Sequence, residues 1–179
     1  MPPQPDPRPL LGEPLALDLL NTVSRSAAQT RDLLATPAGA RSWLRANGLA
    51  ANDLPRTTAA LVEAREAIRD LLSAGDAAAR RRVNAVLEHG RIRLSIAAGP
   101  ATRETLEVDE PAWRPAVMAA AGVLRMLDAD PDRIRRCEHP DCVLWFFDVS
   151  RNGTRRWCSM TTCGNRAKAA RHYARTGTG

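Results

Sequence analysis

No stretch of this 179-residue sequence is long and apolar enough to span a bilayer, and its first residues lack the apolar core that export requires. The expectation is a cytoplasmic protein in a reducing compartment. Glycine-rich phosphate loops, serine elbows and histidine-rich metal sites are missing, and no internal repeat is visible. No enzyme is expected: Asp18, Asn21 and His89 are scattered catalytic candidates that form no recognisable set. Lysine is missing from residues 1 to 130, where 16 arginines balance 16 acidic residues. Aromatic residues are few as well, at 4%, and five of the seven lie between Arg136 and Arg175.

What is present is concentrated at that same end. All four cysteines fall there, as Cys137-x4-Cys142 and Cys158-x4-Cys163, with fifteen residues between the pairs. Two such pairs, brought together by one chain reversal, supply four sulfurs at the corners of a tetrahedron, which is what a structural zinc ion accepts. Two disulfides in any of three connectivities are the alternative for a secreted chain, and four unrelated buried thiols are another. Equal spacings and a reducing compartment favour one zinc ion. His139, inside the first pair, is a possible substitute ligand, although four thiolates already close the shell. A closed shell leaves no position for water, so the metal is structural rather than catalytic. Residues 131 to 179 also hold 9 arginines and one lysine against 4 acidic residues, which is the whole net charge of +6. A neutral body with a basic end implies a polyanionic partner, nucleic acid before an anionic membrane, unless the charge serves only solubility.

Along the chain, residues 2 to 9 alternate proline with polar residues and predict an extended, poorly ordered arm, so that residues 1–11 are set apart. Structure is expected from Gly12. Leu15, Leu17, Leu19, Leu20 and Val23 fit a buried helix or a strand; the helix is favoured because it places Asp18 and Asn21 on one edge, as a ligand site or a buried polar pair. Thr36-Pro37 and Gly48-Leu49 frame a helix carrying Trp43 and Leu44. A longer helix is predicted over 55–74, with Leu61, Ala64, Ile68, Leu71 and Leu72 on one face. Gly75 ends it, and Asp76 caps a helix whose Val83, Val86 and Leu87 face inward while Arg80, Arg81 and Arg82 face out. The period then changes to two. Ile92, Leu94 and Ile96, a break at Gly99-Pro100, then Leu106 and Val108 predict a hairpin near 91–108. A last helix over 115–127 places Val117, Ala120, Leu124 and Leu127 on one side. It stops before Asp130-Pro131-Asp132, the predicted boundary between a mainly helical domain (12–130) and a small C-terminal module (131–179).

Within the module, an apolar strand over 143–149, the turn dipeptide Asn152-Gly153 and a return strand over 154–158 predict a hairpin. In the helix after it, Cys163, Ala167, Ala170 and Ala174 share one narrow face that could pack on the hairpin. Lys168, Arg171, His172 and Arg175 form a basic stripe opposite. Knuckle, hairpin and helix in this order are the layout of a treble-clef zinc finger. Arg151, Arg155 and Arg156 near the turn extend the stripe into a candidate phosphate-binding surface. Arg166, on the flank, is expected to pair with Asp148 or brace the backbone rather than touch a ligand. Trp145, Phe146, Phe147 and Trp157 are expected to form the module's core in preference to stacking on bases.

The runs Phe146-x-Asp148-x-Ser150-Arg151-Asn152, Arg155-Arg156-Trp157-Cys158-Ser159-Met160 and Cys163-Gly164-Asn165-Arg166-x-Lys168 resemble the CGNR zinc finger over about 40 residues. Upstream, residues 15 to 22, LALDLLNT, resemble the opening of the ABATE domain, which commonly precedes that finger in bacterial proteins described as stress-induced transcription regulators. The resemblance implies a zinc-binding, DNA-binding protein with a mostly helical N-terminal domain. The function expected is a zinc-dependent transcriptional regulator, its finger on double-stranded DNA and its body sensing a small-molecule effector or forming a homodimer. The alternative is a zinc-stabilised protein-protein or RNA-binding module.

Overall fold

The computed structural model describes residues 8–26, 29–96 and 102–176, the side chains of 171–176 excepted. The chain is mainly helical, with three two-stranded antiparallel sheets among the described residues. In order, the elements are α1 (Leu15–Leu20), β1 (Val23–Arg25), β2 (Thr30–Asp32), α2 (Pro37–Ala46), α3 (Leu54–Ser73) and α4 (Ala77–Glu88). There follow β3 (Gly90–Ile96), β4 (Thr102–Val108), α5 (Arg114–Ala129), β5 (Ile134–Arg136), β6 (Trp145–Phe147) and α6 (Asn165–Thr176). They form two compact units, one of residues 33–125 and one of residues 1–32 with 126–179. α5 ends at Ala129, just before Asp130-Pro131-Asp132, whereas the compact units divide at 125/126 and again at 32/33.

In the unit of residues 33–125, local signals set the helix ends. The Thr36 side chain accepts from the Gly39 amide at 3.1 Å, and Pro37 begins α2. Gly48, at φ 65°, turns the chain so that the Leu49 amide donates to the Leu44 carbonyl at 2.8 Å. Asp53 and Asp76 cap α3 and α4 in the same way as Thr36. The predicted inward positions Leu61, Ala64, Ile68, Val83 and Val86 are buried. The arginine triplet is outward: Arg82 pairs with Asp70, and Arg80 donates to the Gly75 carbonyl.

Two expectations about faces change. β3 and β4 pair in the predicted hairpin, with Ile92 opposite Leu106 and Leu94 opposite Glu104, while the Gly99-Pro100 break lies outside the described residues. Yet Ile92, Leu94 and Ile96 are 52%, 71% and 80% exposed. The hairpin is covered at its base, where a Cβ on Gly90 would come within 2.7 Å of Val117 on α5, and its outer half lacks such a cover. On α5, Val117 and Ala120 are buried as expected, but Leu124 is 41% exposed. Ala116, Ala119, Val123 and Met126 complete the buried face, which is rotated toward small residues.

In the other unit, α1 is a buried helix, with Ala16, Leu17, Leu19 and Leu20 almost fully enclosed. The expected arm lies outside the described residues as far as position 7; after it, Arg8 pairs with Asp18 and Leu10 packs against the cysteines. Asn21 serves a backbone role. Its amide donates to the Trp145 carbonyl and accepts the Trp145 N–H, both at 2.9 Å. The Glu13 carboxylate accepts the Phe147 N–H at 2.8 Å. Two side chains thus satisfy one edge of β6, and β5 pairs with the other, Arg135 opposite Phe146.

That pairing corrects the predicted module hairpin. Residues 154–158 form no strand, because their polar backbone groups are used elsewhere. The Arg155 amide donates to Asp148, the Arg156 carbonyl accepts from the Glu138 amide, and the Cys158 amide points to the Cys137 sulfur. Asn152-Gly153 still makes a turn, with Gly153 at φ 60° and its amide donating to the Ser150 carbonyl.

Candidate metal centre

Each cysteine arrives on a different local device. Cys137 follows β5, and its amide donates to the Leu144 carbonyl at 2.9 Å. Cys142 closes a tight turn on the His139 carbonyl. Cys158 ends the irregular segment described above, and Cys163 sits in a π-helical turn, Met160–Gly164, capped by the Ser159 side chain. The four sulfurs are buried and lie within 4.8 Å of one another. Cys142 and Cys158 are 3.8 Å apart, Cys158 and Cys163 3.6 Å. A tetrahedron with zinc–sulfur bonds near 2.3 Å has edges of about 3.8 Å, so the donor set fits zinc. All four thiols are free of disulfides.

Crowding this tight couples the thiols of Cys137, Cys142 and Cys158. Hydrogen bonds from Cys142 and Cys158 push the Cys137 thiol down, while the contact with Cys137 pushes Cys142 up to about 12 and those with Cys137 and Cys142 push Cys158 up. A dication resolves the conflict by favouring every thiolate at once. His139 stays outside the set: its Nδ1 accepts the Asp141 amide at 3.2 Å. Leu144 and Phe146 complete the buried cluster, with Leu10 and Trp157 packed against it. Trp145 is buried too, so the aromatic residues serve largely as core.

Around this centre, Asp148 organises the turn. It is fully buried and accepts the Ser150 and Arg155 amides at 2.9 and 2.8 Å. Burial opposes its charge, yet the bonds from Ser150 and Arg155 hold the carboxyl below the usual aspartate range. Arg133 braces the same turn, donating to the Asp148 and Ser150 carbonyls at 2.7 Å each. Arg166 departs from expectation. Instead of reaching Asp148, its Nη2 donates to the Cys163 sulfur at 3.2 Å. Arg133 also pairs with Asp130 at 2.8 Å, but nothing in the local pattern marks Glu13's bond to Phe147 or the turn carbonyls that Arg133 braces, which lie 134 and 15 to 17 residues away.

The basic residues divide by exposure. Arg151, Arg156 and Lys168 are exposed. Arg156 pairs with Glu138 at 2.5 Å and lies 5.2 Å from the Trp157 ring centre. Arg155 is turned inward: it lies 4.2 Å over the Phe146 ring, donates to the Trp157 and Cys158 carbonyls, and approaches Glu13 at 3.7 Å. The side chains of Arg171, His172, Ala174 and Arg175 lie outside the described residues. On α6 the expected alanine face is only partly packed, with Ala167 half-buried and Ala170 exposed.

Four buried sulfurs at tetrahedral separations, in a unit with so few other core residues, define a structural zinc-thiolate finger. Residues 133–176 match the CGNR zinc finger, and the four thiolates hold one structural zinc ion. Residues 13–129 match ABATE, described as "putative stress-induced transcription regulator". That match spans most of the chain, and the protein belongs to this family. No curated protein matches the chain. The family match ends at 129, whereas residues 13–32 share a compact unit with the finger. Among the described residues no helix is long and apolar enough to cross a membrane.

Proposed function

We propose that the protein is a zinc-dependent, DNA-binding transcription regulator whose finger contacts nucleic acid. The observation that carries this reading is the exposure of Arg151, Arg156 and Lys168 on the unit that zinc holds together. Lys168, Arg171 and Arg175 stand three and four positions apart along α6, the spacing of one helix face. Double-stranded DNA is the preferred partner, because a single basic helix suits a major groove and the aromatic rings that would stack on unpaired bases are largely buried. Arg155 is left out of the interface as an internal strut. The succession of knuckle, turn and helix supports a treble-clef reading of the finger.

The N-terminal domain senses a small molecule or self-associates as a homodimer. The surface a small molecule would use is an open groove of about 320 Å³ lined by Arg41, Leu44, Arg45, Leu49, Ala51 and Leu54, whose two arginines suit an acidic ligand. A binding role is favoured over catalysis because the scattered candidates have structural partners: Asp18 with Arg8, Asn21 with Trp145, and His89 with Asp109 and the Trp113 ring. The cytoplasm suits four thiols kept free for metal.

Selection of bound fragments from random DNA and RNA pools tests the reading, with enrichment of duplex DNA expected. Replacing Lys168, Arg171 and Arg175 together should abolish retention at moderate salt. It should also lower the slope of log affinity against log salt by about 2.7 if each residue neutralises one phosphate. Unchanged retention would exclude this surface, and enrichment of RNA alone would favour an RNA-binding module.

A further inference from the structure

We propose that Arg166 is a positioning residue of the zinc centre, its guanidinium donating to the Cys163 sulfur and offsetting part of the charge that four thiolates bring to one dication. Zinc with four thiolates carries a net charge of −2, which is costly among buried groups unless hydrogen bonds and nearby cations compensate it. Backbone amides supply some of these bonds, from Cys158 to the Cys137 sulfur at 3.4 Å, from His139 to Cys137 and from Leu144 to Cys142. Arg166 adds a bond that carries a full positive charge, to the Cys163 sulfur at 3.2 Å. Its neighbour Arg155 approaches the same loop but spends Nη2 on the Cys158 carbonyl, so the two arginines do different work.

The local fold aims the side chain. A π-helical turn leads into α6, and Arg166 reaches back across one turn to Cys163. Gly164 gives clearance to the neighbouring side chains of the turn: a Cβ there would come within 2.8 Å of the Met160 sulfur and 3.3 Å of the Trp157 ring. The Asn165 side chain donates to the Thr161 carbonyl at 3.2 Å and ties the helix start to the turn. Each residue of the run Cys163 to Arg166 thereby has a role around the metal: ligand, clearance, tether and charged donor. This role is independent of what the finger binds.

The full-length protein provides the test, loaded with zinc or with cobalt(II) as a spectroscopic substitute. R166M keeps much of the side-chain volume and removes every N–H; R166K keeps the charge. In chelator competition, R166M should bind zinc about 10- to 100-fold more weakly, as outer-shell partners of metal ligands generally do. The sulfur-to-cobalt charge-transfer band should move to lower energy, because the thiolate loses a hydrogen bond, and R166K should recover part of both effects. Affinity within twofold of wild type, or an unmoved band, in R166M would overturn the proposal. If R166M does not fold at saturating zinc, R166Q and R166K decide it: wild-type affinity and band position in both would overturn it, and a weakened R166Q with partial recovery in R166K would support it.

Discussion

Asn21 satisfies the N–H and the C=O of Trp145 with one side-chain amide, a bond pattern that a neighbouring strand would otherwise supply. N21A leaves two buried backbone groups without partners and should cost about 2 kcal/mol or more, read from urea unfolding of the zinc-loaded protein. Glu13 does related work at Phe147 under a different constraint. Its burial raises the carboxyl's pKa above the ordinary glutamate value, against the lowering effects of the Phe147 amide and Arg155. A carboxyl whose folded pKa is raised contributes stability below its unfolded pKa and loses it as pH rises through the folded value. The stability of wild type relative to E13Q should therefore fall as pH is raised from about 4.5 toward neutrality; a difference that stays flat would contradict the assignment. The shared edge of Asp18 and Asn21 was readable as spacing three apart on a helix. Their partners were not, because Trp145 lies 124 residues beyond Asn21 and no local period encodes that distance.

At the scale of elements, termini and faces obey different rules. Thr36, Pro37, Gly48, Asp53, Gly75 and Asp76 act through bonds a few residues long, so the ends of α2, α3 and α4 could be read almost to the residue. Faces depend on what lies across from them. The β3 row alternates correctly and still meets water, since alternation groups side chains but does not provide a cover. Replacing Leu94 and Ile96 with threonine should therefore shift the urea midpoint only slightly, by an equivalent of about 0.5 kcal/mol, whereas Ile68→Thr in α3 should be far more damaging. The missing return strand in the finger has a comparable cause. Its amides are already taken, that of Arg155 by the charged Asp148 carboxylate and that of Cys158 by the Cys137 sulfur.

For the molecule as a whole, the unit built on zinc includes more than the finger. Glu13 and Asn21 hang on β6, Leu10 packs on the cysteine cluster, and so metal removal should reach the N-terminal segment. A structural zinc contributes on the order of 10 kcal/mol, more than a core of this size supplies alone. Chelation should abolish hydrogen-exchange protection at Trp145 and Phe147 together with that of α1, while α3, with its own buried face, remains protected. Protection of α1 that survives metal loss would show that the segment folds without the finger. The basic surface belongs to this scale too. By sequence all the net charge lies in residues 131–179, but Arg155 and Arg166 are committed to internal partners, which leaves Arg136, Arg151, Arg156 and Lys168 as its exposed members among the described side chains.

Sequence alone determined the zinc ligands, the helix ends and the family, because each rests on residues close together in the chain: two cysteines five apart, a cap and the amide it serves, a motif of four. Tertiary structure alone decided which strand pairs with β6, which apolar rows are covered, and that Arg166 addresses sulfur while Asp148 is held by backbone amides. Those outcomes are competitions among partners distant in sequence, settled by which donor and acceptor the folded chain brings within about 3 Å of each other.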